Sequence, residues 1–235
     1  FKDKYKELNP ENYLEDVEKI MQQGKTPAGM HRSICVTEIM EFLNIQSGQV
    51  GLDATLGYGG HSLEILKCLS PNGLLYAMDV DPFELPRTEA RLLALGYGEK
   101  EIVFKKMNFS EIDTVALESG PLNFVLADLG VSSMQIDNPE RGFSFKIDGP
   151  LDLRLNPHSG KSAADILKII APRKLAEVLF ENSDEPHYEV ITLAIMAKMA
   201  AGIAITTTTH LQETIAEALV FLPEATRKEE IKKSC

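Results

Sequence analysis

The stretch Gly51-Leu-Asp-Ala-Thr-Leu-Gly-Tyr-Gly-Gly-His61 constrains the fold more than any other part of the chain. It reads as a buried strand that runs into a glycine-rich turn and then into a helix over 62–69. Gly57, Gly59 and Gly60 let the backbone take positive φ and come close to a ligand. The helix start behind them offers N–H groups that have no intrahelical partner. An acid, Asp79, closes the next apolar run, Leu74–Asp79. A carboxylate at that strand end suits the hydroxyls of a ribose. The pattern predicts a site for a nucleoside-containing cofactor and leaves open which one.

The rest of the first half repeats the same rhythm. Strands are predicted at 50–54, 74–79, 102–105 and 124–128, with helices at 62–69, 86–95 and 110–118 between them. Strands alternating with helices predict a parallel α/β sheet covered on both faces. A short amphipathic helix at 35–43 precedes them, with Val36, Ile39, Met40 and Leu43 on one face. Residues 1–30 form a polar extension with an amphipathic piece from Tyr13 to Met21, ended by Gly24 and Pro27. After Asp128 the style changes. Residues 129–160 are rich in Gly, Ser, Asp, Asn and Pro and have no period, yet they carry Phe143, Phe145, Leu151, Leu153 and Leu155. A long loop with that much apolar material is expected to be ordered and functional. Helices follow at 162–170, 172–181, 186–201 and 208–221, with Ser162 and Thr208 as N-caps.

Composition narrows the classes. With 44% hydrophobic residues in 235, there is ample material for a core. No apolar run reaches the roughly 18 residues a membrane helix needs. The longest, 190–205, is interrupted by Lys198 and Gly202, so no membrane partner is expected. Cys35, Cys68 and Cys235 give neither a disulfide framework nor metal spacing and fit a reducing compartment. No metal site is predicted. A net charge of −11 argues mildly against a nucleic-acid partner, although a local basic surface can sit on an acidic protein. The polar start, Phe1-Lys-Asp-Lys-Tyr-Lys-Glu, is no signal peptide. A first residue other than Met, and a stop just after the charged run 227–235, read as cuts in a longer protein.

Each candidate residue has a plainer alternative. The turn departs from G-x-G-x-x-G, because Ser62 stands where the third glycine belongs; a ligand-free strand–helix turn is the alternative. His61 alone is more often a capping or core histidine. Asp81 is as well suited to capping the next helix as to touching a ligand. Phe109 can cover an adenine ring or fill the core. Asp128, at the end of the fourth strand, can accept hydrogen bonds from an amine substrate, or it can stabilise a strand-end turn together with Ser132 or Ser133. Arg141, Lys146 and Arg154, interleaved with Phe143 and Phe145, suit phosphate contact and base stacking on a single-stranded nucleic acid. Asp137, Glu140, Asp148 and Asp152 offset that charge, and internal salt bridges explain the same cations equally well.

Taken together these segments resemble one family, the MraW-type small-subunit (16S) ribosomal RNA cytosine-N4 methyltransferases. The resemblance is carried by His31-Arg-Ser-Ile, Asp53-Ala-Thr-Leu-Gly-Tyr-Gly-Gly-His-Ser62, Asp79-Val-Asp-Pro82 and Asn108-Phe-Ser110. Two further segments are long and specific: Asp128-Leu-Gly-Val-Ser-Ser-Met-Gln135, and Arg141 through Arg154. It implies a Rossmann-like methyltransferase sheet of parallel strands, incomplete at the C-terminus, with an inserted helical subdomain. It divides the chain into an extension (1–30), the first half of an S-adenosylmethionine-binding core (31–135) and a loop with helical insertion (136–235). It implies cofactor contacts from Gly59, Gly60, His61, Asp79, Phe109, Asp128 and Gln135, with Asp128 the catalytic candidate. Small-subunit ribosomal RNA or the ribosomal subunit is the implied partner, in bacterial cytoplasm or plastid (chloroplast) stroma. The family chain continues past Cys235 with an Arg-Thr-Phe-Gln and a Ser-Phe-His-Ser segment, so a truncated, non-catalytic cofactor- or RNA-binding fragment is an alternative. A nicotinamide-dependent oxidoreductase is another, but it should show G-x-G-x-x-G and a hydride-relay residue. The oligomeric state stays open, a homodimer included.

Overall fold

The fold follows from how β2 (Leu74–Asp79) is buried. Leu75 and Ala77 enter one apolar cluster, while Tyr76 and Met78 enter another. Successive strand residues point to opposite faces, so a strand buried in two clusters needs cover on both sides. The computed structural model describes residues 33–235 and shows that cover. The expected extension 1–30 and the His31-Arg32 part of the first motif lie outside the described residues.

The first unit ends at Ser132. It holds α1 (Val36–Leu43), β1 (Val50–Asp53), α2 (Gly60–Leu69), β2, α3 (Glu84–Ala94), β3 (Ile102–Lys106), α4 (Ile112–Ser119) and β4 (Phe124–Leu126). All strand pairs are parallel, in the order β3-β2-β1-β4. The α/β alternation is therefore as expected, and the sheet is Rossmann-like. Met40 of α1, Ile65 and Leu66 of α2, and Leu85 and Leu92 of α3 pack on one face; Ile112 and Val115 of α4 pack on the other. At the β1/β4 junction Gly51 pairs with Phe124, whose ring lies over it. A Cβ at Gly51 would sit 2.0 Å from that ring.

The chain steps from β1 outward to β2 and β3, then returns to place β4 on the other side of β1. β1 is thus the switch strand. In open α/β sheets ligands bind beyond the carboxyl ends of the strands at such a point.

The second unit, Ser133–Cys235, is helical. A short helix α5 (Ser133–Asp137) is followed by α6 (Ala163–Leu167), α7 (Pro172–Ser183), α8 (Tyr188–Ala200), α9 (Thr208–Ala218) and α10 (Glu224–Ser234). Leu151, Leu175, Ile191, Ile195, Ile205, Ile215 and Leu219 form its core. The long loop is ordered, pinned by an antiparallel bridge between Pro150 and Thr207 and by Leu151 N–H on the Thr206 carbonyl at 2.9 Å. Ser162 caps α6 as expected. The cap of α9 is Thr207 rather than Thr208, because Thr207 has the extended backbone that lets its oxygen accept from His210 N–H. The charged segment after Pro223, which has no apolar period, is helix α10. Among the described residues no helix is long and apolar enough to cross a membrane.

Candidate functional site

The carboxyl edge of β1 and β2 is built around Gly57. After β1 the backbone keeps sheet-like bonds to both neighbours: Ala54 N–H to the Leu126 carbonyl and Leu56 N–H to the Met78 carbonyl, each at 2.8 Å. Gly57 and Gly59 then adopt φ of +47° and +75°. These are left-handed values that a side chain disfavours. Gly59 is the N-cap of α2 and supplies no capping side chain to the first-turn N–H groups. The helix begins at Gly60, two residues before the expected start. His61 therefore lies in its first turn, and the Ser33 hydroxyl packs over Gly60.

Two carboxylates hold this turn. Asp79 Oδ2 accepts from Gly57 N–H at 2.7 Å, and Asp79 Oδ1 accepts from Asp81 N–H at 2.8 Å. Both oxygens keep further acceptor capacity, and the residue is half-buried. Burial pushes its carboxyl above the usual aspartate range, against the hydrogen bonds that pull it down. Asp53 is almost wholly enclosed, at 1% exposure. Its carboxylate accepts from Ser62 Oγ at 2.6 Å and from Thr55 N–H at 3.0 Å. Burial raises this carboxyl too, and the nearby Asp79 charge adds to the effect. Asp53 thus ties the end of β1 to the first turn of α2.

Asp81 is fully buried and accepts from Phe83 and Glu84 N–H at 2.9 and 3.3 Å. It anchors the start of α3, the capping alternative. Across the β1/β4 junction, Thr55 Oγ1 accepts from Asp128 N–H at 2.8 Å, which leaves the Asp128 side chain about half exposed at the sheet edge. β4 ends at Leu126, so Asp128 lies two residues past the strand, in open chain. His61 Nε2 lies 2.9 Å from the Ile34 carbonyl. A carbonyl only accepts, so Nε2 carries the proton. Nδ1 then faces Asp128 Oδ2 at 3.8 Å. Phe109 is exposed in a short 3-10 turn after β3, and Asn108 holds that turn through a reciprocal capping box with Glu111.

The pattern of the MraW methylase family matches residues 28–234. The chain belongs to the MraW methylase family. It is 65% identical over 235 residues to ribosomal RNA small subunit methyltransferase H 2 of Alkaliphilus metalliredigens, covering 100% of this chain and 67% of that protein. It is 58% identical to ribosomal RNA small subunit methyltransferase H 1 of Lachnoclostridium phytofermentans, covering 64% of that protein. Over 218 residues it is 47% identical to ribosomal RNA small subunit methyltransferase H 2 of Acholeplasma laidlawii, covering 63% of it. The chain spans about two thirds of the length of these relatives.

Gly57, Gly59, Gly60, His61, Asp79 and Asp128 all lie at the carboxyl edge of the sheet, after β1, β2 and β4. Phe109 follows β3 at that edge. Gln135 belongs to the second unit, buried in α5. Arg141 is buried there as well, and its guanidinium donates to the Leu155 carbonyl at 2.7 Å. Arg154 forms a two-pronged pair with Asp152 at 2.8 and 2.6 Å and donates to the Gly160 carbonyl at 3.0 Å. Phe143 is half-buried, with the Arg141 guanidinium 6.0 Å from its ring centre. The internal salt-bridge alternative describes Arg154, whereas the bonds of Arg141 run to backbone carbonyls; any contact of Arg154 with RNA competes with its fork. Sequence reasoning passed over Asp53, Ser62 and Thr55 as organisers. The signal was present as an acid and two hydroxyls flanking the glycines, but only the fold brings them within bonding distance.

Proposed function

We propose that this protein is an S-adenosylmethionine-dependent methyltransferase that acts on the N4 amine of a cytosine in small-subunit ribosomal RNA. One observation carries the cofactor part of this reading. A left-handed glycine turn, an uncapped helix start and a half-buried Asp79 lie together at the switch strand of a parallel sheet. The residues fit the group. Asp79 has acceptor capacity left for ribose hydroxyls, and a helix start without a capping side chain suits a carboxylate. Membership of the MraW methylase family supports the choice of donor, and the names of the relatives support the RNA substrate. A bacterial cytoplasmic location goes with that substrate.

When bound, S-adenosylmethionine supplies an electrophilic methyl group on a sulfonium. Cytosine N4 is a weak nucleophile because its lone pair is delocalised into the ring, so alignment is the main lever. Asp128 is the group placed to align it. Its backbone is held by Thr55, while its half-exposed carboxylate lies 3.8 Å from His61 Nδ1 at the edge. Accepting a hydrogen bond from the amine, it orients N4 and stabilises the positive charge that develops there. The target base has to leave any stack to reach this edge. The test is methylation of ribosomal subunits that lack the modification, read as N4-methylcytosine by mass spectrometry. It should be run with this chain and with one extended to the length of its relatives. Asp128→Ala should abolish transfer in the extended chain. Unchanged turnover would remove Asp128 from the mechanism, and methylation at another position would refute the assigned substrate atom.

A further inference from the structure

Gly57 is held through both of its backbone polar groups. Its N–H donates to Asp79 Oδ2 at 2.7 Å, and its carbonyl accepts from Thr88 Oγ1 at 2.6 Å. Thr88 lies on α3 and is 1% exposed. Its methyl group fills the space beside Gly59, 2.7 Å from where a Cβ would stand. One turn further along α3, the Arg91 guanidinium lies 3.3 Å from the centre of the Tyr58 ring. Helix α3 is itself fixed at its start by Asp81, whose N–H returns to Asp79 Oδ1 at 2.8 Å. The bonds close a circuit: Asp79 to Gly57, Gly57 to Thr88, along α3 to Asp81, and back to Asp79.

We propose that Thr88 and Arg91 of α3 are positioning residues for the cofactor, holding the glycine turn and Asp79 in one geometry before the ligand arrives. This rests on the cofactor reading above. The physical reason is the freedom of the segment. Gly57, Gly59 and Gly60 have the largest backbone entropy to lose on ordering. A turn already ordered by α3 spares the ligand that cost, which is the general source of affinity from preorganisation. Neither residue has to touch the ligand.

The test is calorimetric titration of the 235-residue chain with S-adenosylmethionine. Thr88→Val keeps the shape and deletes the hydroxyl. It should weaken binding about tenfold, the scale of one net hydrogen bond to a preorganised element. Thr88→Ser restores the hydroxyl and should bind within about twofold of the unsubstituted chain. Val115→Ala is the control for general loss of stability. It opens a cavity in the cluster on the opposite sheet face and should leave affinity unchanged. If Thr88→Val does not fold, Arg91→Met carries the test, with about threefold weaker binding expected from loss of the cation–ring contact. The proposal is overturned if Thr88→Val or Arg91→Met binds like the unsubstituted chain. It is equally overturned if Val115→Ala weakens binding as much as Thr88→Val. Failure of the unsubstituted chain to bind would instead sink the cofactor reading, and this inference with it.

Discussion

Substituting Gly59 by alanine separates the two reasons a glycine stands there. Gly59 has φ of +75°, and a Cβ would sit 2.7 Å from Thr88 Cγ2 and 3.4 Å from Leu56 Cδ1. The left-handed backbone costs an alanine about 1–2 kcal/mol. Forcing a methyl group against a buried threonine adds about 1–3 kcal/mol. Gly59→Ala should therefore destabilise the first unit by about 2–5 kcal/mol. Gly57→Ala is the reference: φ is +47°, but the nearest atom to its Cβ would be the Thr55 carbonyl oxygen at 3.8 Å. Only the backbone cost of about 1–2 kcal/mol applies there. Thr88→Ser removes the offending methyl and keeps the hydroxyl on Gly57. In the double variant it should recover most of the steric component, which a double-mutant cycle reads as a coupling of about 1–3 kcal/mol. Urea unfolding followed by circular dichroism gives all four values. The reasoning fails if Gly59→Ala costs no more than Gly57→Ala, or if Thr88→Ser brings no recovery.

Two buried or paired carboxylates should respond to pH in opposite senses. Burial raises the Asp53 carboxyl above the ordinary aspartate value of 3.8. Its contribution to stability is therefore full below that value and is lost as the pH rises through the raised folded-state value. Asp53→Asn should gain on the unsubstituted chain as the pH is increased from 3.8, read from urea midpoints; a pH-independent difference would contradict this. Asp152 is held below 3.8, first by its hydrogen bonds from Arg154. Its contribution is present above that value and is lost as the pH falls through the lower folded-state value. Asp152→Asn should therefore be the less stable chain at neutral pH and lose that deficit in acid, and a deficit that persists in strong acid would contradict the pairing.

How much of this was legible in the residues depended on where each signal lay. β2 was readable to the residue because a strand buried on both faces is a continuous apolar run with sharp ends. The helix after the glycines starts two residues before the position its sequence predicts. Local propensity places Gly60 outside a helix, while the Asp53–Ser62 bond and the Ser33 contact pull it in. Nothing in the pattern predicts helix α10, because its residues are mostly charged, none is buried, and no period marks it. β4 was read two residues too long because Ala127 and Asp128 follow an apolar run without a break, whereas the Thr55 contact turns the chain out of the sheet. The acid at the β2 end and the glycines were visible as a site. The residues that hold them, Thr88 above all, come from an element some thirty positions away, and no local pattern announces that bond. Arg154 shows the converse: its sequence context suited RNA contact, but the nearest acid, two residues away, engages it in two directions.

In the function proposed above, the glycine turn and Asp79 form a site for a methyl donor rather than a hydride carrier. Calorimetric titration of the 235-residue chain with S-adenosylmethionine and, separately, with NAD tests it most directly. Saturable single-site binding of S-adenosylmethionine is expected, with no saturable heat from NAD at the same concentrations. Binding of NAD alone, equal binding of both, or no binding of S-adenosylmethionine would contradict it.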